Sequence, residues 1–128
     1  MYEPSPDHDS AARQIVDSAF AVHSALGPGL LESVYEQCLE YELRSRNLNV
    51  QRQVAVPVIY RDAPIDGGFR IDMIVNDLVI IEIKAVEKLM PIHEAQLLTY
   101  LKLSRKRLGL LINFNTSRIK DGIRRLIA

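Results

Sequence analysis

Cysteine is almost missing from this 128-residue chain, where Cys38 stands alone. A single thiol cannot close an internal disulfide, and zinc sites take several Cys or His ligands at short spacings that this sequence does not offer, so a disulfide scaffold and a zinc finger are both excluded. No apolar run approaches the roughly 18 residues that a membrane-crossing helix requires, and Met1-Tyr2-Glu3-Pro4-Ser5-Pro6-Asp7 lacks the basic-then-apolar pattern of a signal peptide. The expectation is a soluble, cytoplasmic protein with no membrane partner. Net charge is missing too, because 16 Lys+Arg balance 16 Asp+Glu, and this argues against the basic footprint of a typical nucleic-acid binder. What is present is 48% hydrophobic and 25% charged residues, the composition of a globular protein and too apolar for disorder. At this length one domain is expected, over residues 10–128, after a polar, proline-containing tail at 1–9.

The zero total hides an asymmetry. Residues 1–101 carry 8 Lys+Arg against 15 Asp+Glu, and residues 102–128 carry 8 against Asp121 alone. One end of the chain could face phosphates, or both could be solvated surfaces.

Apolar positions at helical spacing, Ile15, Ala19, Val22 and Leu26, predict a helix from Ser10 that Gly27-Pro28-Gly29 ends. Residues 31–46, rich in Leu, Glu and Arg, predict a second, with Asn47 as a left-handed terminus. The period then changes. Residues 50–60 read as a β-branched strand whose Pro57 places it at an edge or a bulge, residues 61–68 as turn chemistry, and 69–75 and 78–85 as two short strands. Pro91 opens a helix to about Ser104, 107–114 reads as a buried strand, and 119–127 as a last short helix. The order ααβββαβα predicts an α/β fold, a mixed sheet covered by helices on both faces.

The chemistry concentrates in Leu78-Val-Ile-Ile-Glu82-Ile83-Lys84-Ala85. Period two puts Glu82 and Lys84 on one face of an otherwise apolar strand, where neither can be buried without a partner, a metal or water. Asp72 on the preceding strand is the nearest partner. Two carboxylates and an ammonium at a hairpin end form an oxygen-lined site suited to magnesium; the alternative is architectural, Glu82 paired with Lys84 and Asp72 with Arg70. Parity separates the two. A two-residue turn pairing Val75 with Leu78 would throw Asp72 and Glu82 to opposite faces, so a shared metal requires an odd loop such as Asn76-Asp77-Leu78, or a bulge. On the following helix His93, Gln96 and Tyr100 form one polar stripe, and on the second helix Glu32 shares a stripe with Tyr35, Leu39 and Leu43, whereas Glu36 and Glu40 read as a solvated ridge. His23, on an amphipathic helix, reads as a satisfied core histidine.

Asp72 with Glu82-Ile83-Lys84, followed by a helix bearing Gln96-Leu-Leu-Thr-Tyr100, resembles the PD-(D/E)XK nuclease superfamily and, through the Gln-x-x-x-Tyr helix, its RecB-like branch. Val22-His23, Leu26-Gly-Pro-Gly29-Leu-Leu-Glu32-Ser-Val-Tyr35, Glu82-x-Lys-Ala85, His93-Glu-Ala-Gln96 and Gly109-Leu-Leu-Ile-Asn113-Phe114 resemble the GxxExxY protein family over about residues 13–127. Arg70-Ile71 stands where the superfamily motif has its variable proline. The resemblance implies a restriction-endonuclease-like three-layer α/β/α sandwich and a Mg2+- or Mn2+-dependent phosphodiesterase acting on DNA. Asp72, Glu82, the Ile83 carbonyl and Glu32 would ligate the metal, Lys84 would position the attacking water, and Gln96, Tyr100 and His93 would hold the strand being cut. Arg124 and Arg125, in the basic segment, would contact substrate phosphates. The rival class is a catalytically silent module of the same fold that binds DNA or a protein partner; a homodimer is left open.

Overall fold

The computed structural model describes residues 4–128. Helix α1 (Pro6–Leu26) and helix α2 (Glu32–Ser45) are followed by strands β1 (Val50–Tyr60), β2 (Ala63–Val75) and β3 (Val79–Lys84), helix α3 (Pro91–Ser104), strand β4 (Leu108–Asn113), a short 3-10 turn (Ile119–Gly122) and strand β5 (Ile123–Ile127). The strands form one sheet in the order β1-β2-β3-β4-β5, with β3 and β4 parallel and the other neighbours antiparallel. The sheet is mixed because the β3–β4 connection carries α3 across one face. Helices α1 and α2 cover the other, where Ile15, Ala19, Tyr35, Leu39 and Leu43 pack on Met73, Val79, Ile81, Ile83 and Ile112. On the α3 face Leu97 and Leu101 meet Ile71, Ile74, Ile80 and Leu111. This is the expected α/β/α layering. Among the described residues no helix is long and apolar enough to cross a membrane.

Three boundaries differ from the expectation. Of the tail expected at 1–9, residues 1–3 lie outside the described residues, but Pro6 to Asp9 form the first turn of α1. Ser5 caps it, the His8 ring returning a bond to the Ser5 amide, with Pro at the start and Asp7 and Asp9 near the positive helix end. A reading based on apolar period passes over a turn that has no apolar face. The turn chemistry at 61–68 is also shorter: Arg61 and Asp62, both left-handed, make a two-residue hairpin turn, and 63–68 extend β2 opposite β1. Pro57 sits at the register shift of β1, the edge strand.

The third difference is at the C-terminus, where the helix expected at 119–127 is a single 3-10 turn and then a strand, so the order ends in βα-ββ rather than βα-βα. The spacing of Ile119, Ile123 and Ile127 suits a helix, yet β4 is buried along its whole length and its outer edge would leave backbone groups unpaired. β5 satisfies that edge, from Leu108 opposite Ile127 to Ile112 opposite Ile123. Gly122 permits the approach, since a Cβ there would collide with the Asn113 carbonyl.

Candidate active site

From the Asn76-Asp77-Leu78 loop, β2 and β3 run as a regular ladder, Val75 opposite Val79, Ile74 opposite Ile80 and Met73 opposite Ile81. The loop has three residues, with Asn76 and Asp77 left-handed at φ 53° and 56°, and it meets the parity condition for Asp72 and Glu82. At that next position the ladder gives way to a crossed pair of side-chain bonds. Glu82 Oε2 accepts from the Asp72 amide at 2.8 Å, and Asp72 Oδ2 accepts from the Ile83 amide at 2.8 Å. Each strand thus holds the carboxylate of the other.

Alternation in β2 slips at the same point. Phe69 and Ile71 pack toward α3, whereas Met73 and Val75, of the same parity, pack toward α1 and α2. The neighbouring strand breaks opposite it, at Gln53, whose φ of 51° is left-handed inside a strand. Above the break Val54 faces α3; below it Arg52 reaches Glu36 of α2. Three polar residues in a row, Gln51-Arg52-Gln53, are the sequence trace of this break, one that the expectation of an edge or a bulge from Pro57 did not locate.

Burial sets the electrostatics. Glu82 is 6% exposed, and burial, then the charge of Asp72, pushes its carboxyl up to about 8. Asp72 is raised by burial as well; the Ile83 amide opposes this, Glu36 and Glu32 add to it, and Lys84 opposes it. Among the described residues neither Glu82 with Lys84 nor Asp72 with Arg70 forms an ion pair, so the architectural alternative lacks its contacts. Tyr100 belongs to the site: its ring stacks on Phe69 at 4.3 Å, and burial together with the charges of Glu82 and Asp72 raises its hydroxyl.

Other sequence-derived candidates are placed less centrally. Glu32 is exposed at the start of α2, within the field of both carboxylates, while Glu36, expected on a solvated ridge, is 7% exposed and bonded by Arg52 at 2.7 Å and Gln53 at 3.0 Å. The packed and solvated roles are reversed, because Glu36, one turn into α2, faces β1, where Arg52 and Gln53 bond it. Gln96 is exposed on α3. His93 caps that helix, its Nδ1 accepting from the Met90 amide at 2.9 Å, a bond that fixes its ring at the helix start. His23 is buried, Nε2 at 2.8 Å from the Thr116 carbonyl, in keeping with a core histidine. Register sets the two arginines apart. Glu82, Leu111 and Arg124 lie in line across β3, β4 and β5 on one face, whereas Arg125 alternates to the other and pairs with Asp9 at 2.7 Å. Tyr35 ties down the loop before Glu32, donating to the Gly27 carbonyl at 2.5 Å and accepting from the Leu30 amide at 3.1 Å.

The donor set fits a divalent ion. Each carboxylate spends one oxygen on a backbone amide, no group of three or more His, Cys, Asp or Glu among the described residues is placed to hold a metal ion, and magnesium characteristically takes one or two carboxylates and keeps waters or substrate oxygens for the rest. A model of the PD-(D/E)XK nuclease superfamily matches residues 9–126. Comparison with curated proteins and with solved structures gave no significant match.

Proposed function

The chain belongs to the PD-(D/E)XK nuclease superfamily, and we propose that it is a metal-dependent nuclease that hydrolyses phosphodiester bonds in DNA, of the GxxExxY family within the RecB-like branch. The observation that carries this is the crossed pair of Asp72 and Glu82, a half-buried and a buried carboxylate bonded across the two strands with Lys84 beside them. Asp72 and Glu82 would hold Mg2+ or Mn2+ with the Ile83 carbonyl, and Glu32 would contribute from the rim. A bound ion of this kind supplies Lewis-acid polarisation of a phosphoryl group and a water of lowered pKa. Lys84 orients the attacking water and stabilises the negative charge that builds on the phosphorus oxygens. Tyr100, stiffened by Phe69, holds the strand being cut, with Gln96 one turn earlier on α3. Arg124, in line with Glu82, meets a flanking phosphate. A neutral chain can hold a polyanion in this way, because the metal reverses the local charge.

A second reading is favoured by one feature: both carboxylates are already bonded to backbone amides, as they would be in a silent module that keeps the acids to close the strand end. Purified protein with labelled linear, circular and branched DNA, with Mg2+ or Mn2+ against a chelator, separates the two. Cleavage that requires metal supports the nuclease; DNA that is bound and left intact under every metal supports the silent module.

A further inference from the structure

The two left-handed or slipped positions beside the site, Gln53 and Asp72, face each other across β1 and β2. A left-handed backbone is costly for a residue with a Cβ, and glycine would adopt it freely. What glutamine provides there is its amide. Its two hydrogens have two acceptors: Nε2 lies 3.0 and 3.2 Å from the two oxygens of Glu36, and 3.4 Å from Asp72 Oδ1. Glu36 is itself held by Arg52, through bonds of 2.7 and 3.0 Å, and Arg52 is held in turn by Glu40 at 3.0 Å. The amide therefore hangs from a braced carboxylate, 3.4 Å from the one oxygen of Asp72 that the Ile83 amide leaves unbound.

We propose that Gln53 is a positioning residue, whose amide, anchored on Glu36, fixes the rotation of the Asp72 carboxylate toward the ion and the substrate phosphate. The inference rests on the nuclease reading. Ile83 alone constrains one oxygen and leaves the carboxylate free to swing about that bond; the Gln53 contact restrains the second. The left-handed backbone at position 53 is what brings the amide between α2 and β2, and this accounts for a strained non-glycine residue in the middle of a strand.

The test uses Gln53→Met, which keeps the length and removes the donor, and Gln53→Gly, which removes the donor and relieves the backbone. Mn2+ binding is read by electron paramagnetic resonance and cleavage by a labelled-DNA assay, with kcat and KM separated and the melting temperature recorded. Both variants should bind Mn2+ about tenfold more weakly and lose about tenfold in kcat with little change in KM, as is usual for groups that orient metal ligands. Wild-type Mn2+ affinity and kcat in either folded variant overturn the proposal, as does a loss no greater than the fraction of protein unfolded. A wild-type chain that neither binds Mn2+ nor cuts DNA overturns the nuclease reading itself, a result distinct from wild-type cleavage with silent Gln53 variants.

Discussion

At its loop end the β2–β3 hairpin is a dry ladder, with Val75, Val79 and Ile81 fully buried; one position beyond Met73 and Ile81, the same two strands are joined by Asp72 and Glu82 accepting from backbone amides. The loop end gains from apolar burial at roughly 25 cal/mol per Å2 and asks nothing of its surroundings. The far end has exchanged carbonyl acceptors for carboxylates, which close the strands but bring titratable groups into a buried place. The difference teaches that one hairpin can be stable and reactive when the two demands are kept apart along it.

The comparison breaks if the loop end can be weakened only together with the site. Ile81→Ala should destabilise the fold by about 2–5 kcal/mol in chemical denaturation, through lost burial and the cavity left behind, while Mn2+ affinity per folded molecule stays at the wild-type value. At the far end the expected pattern is the reverse. Glu82→Gln keeps an oxygen for the Asp72 amide, so the fold should persist, yet Glu82→Gln and Lys84→Ala should each lower metal-dependent cleavage by on the order of a hundredfold or more. If Glu82→Gln cuts at wild-type rate, the chemistry lies elsewhere.

Acidity sharpens the contrast further. The Glu82 carboxyl is raised from its ordinary 4.5 to about 8, so between those values the folded chain holds a proton that the unfolded chain has released. Its contribution to stability is full below 4.5 and is lost as pH rises through about 8. Without metal, denaturation midpoints of the wild type should therefore fall relative to Glu82→Gln across that window; parallel curves would mean that Glu82 is not buried as described. The smallest effect concerns β5. Arg124→Ala should lower the salt slope of DNA binding by about one, and Arg125→Ala, turned to the α1 face and paired with Asp9, should change it less. Equal slopes for the two variants would remove the role assigned to strand register.

Much of this was legible in the chain. Period and turn residues marked α2, β1, α3 and β4 closely, and a shared metal at Asp72 and Glu82 required either a bulge or the odd loop that the Val75–Val79 pairing displays. Asp72, Glu82 and Lys84 stood out because charges in an apolar strand need an explanation. Glu36, Gln53 and Phe69 did not stand out, since each is unremarkable in its own segment: a glutamate on a helix, a glutamine at an edge, an aromatic in a strand.

By itself, then, the sequence determined the elements whose residues repeat with their own period, and the acids and base that local patterning makes conspicuous. Only tertiary structure decided that 123–127 is a strand, because the unpaired edge of β4 lies outside that segment. The same holds for the reversal of Glu32 and Glu36, settled by Arg52 of β1, and for the raised acidity of Glu82, which depends on water excluded by residues distant in sequence. Periodicity is a property of neighbours along the chain; burial, register and the field at a charge are sums over neighbours in space.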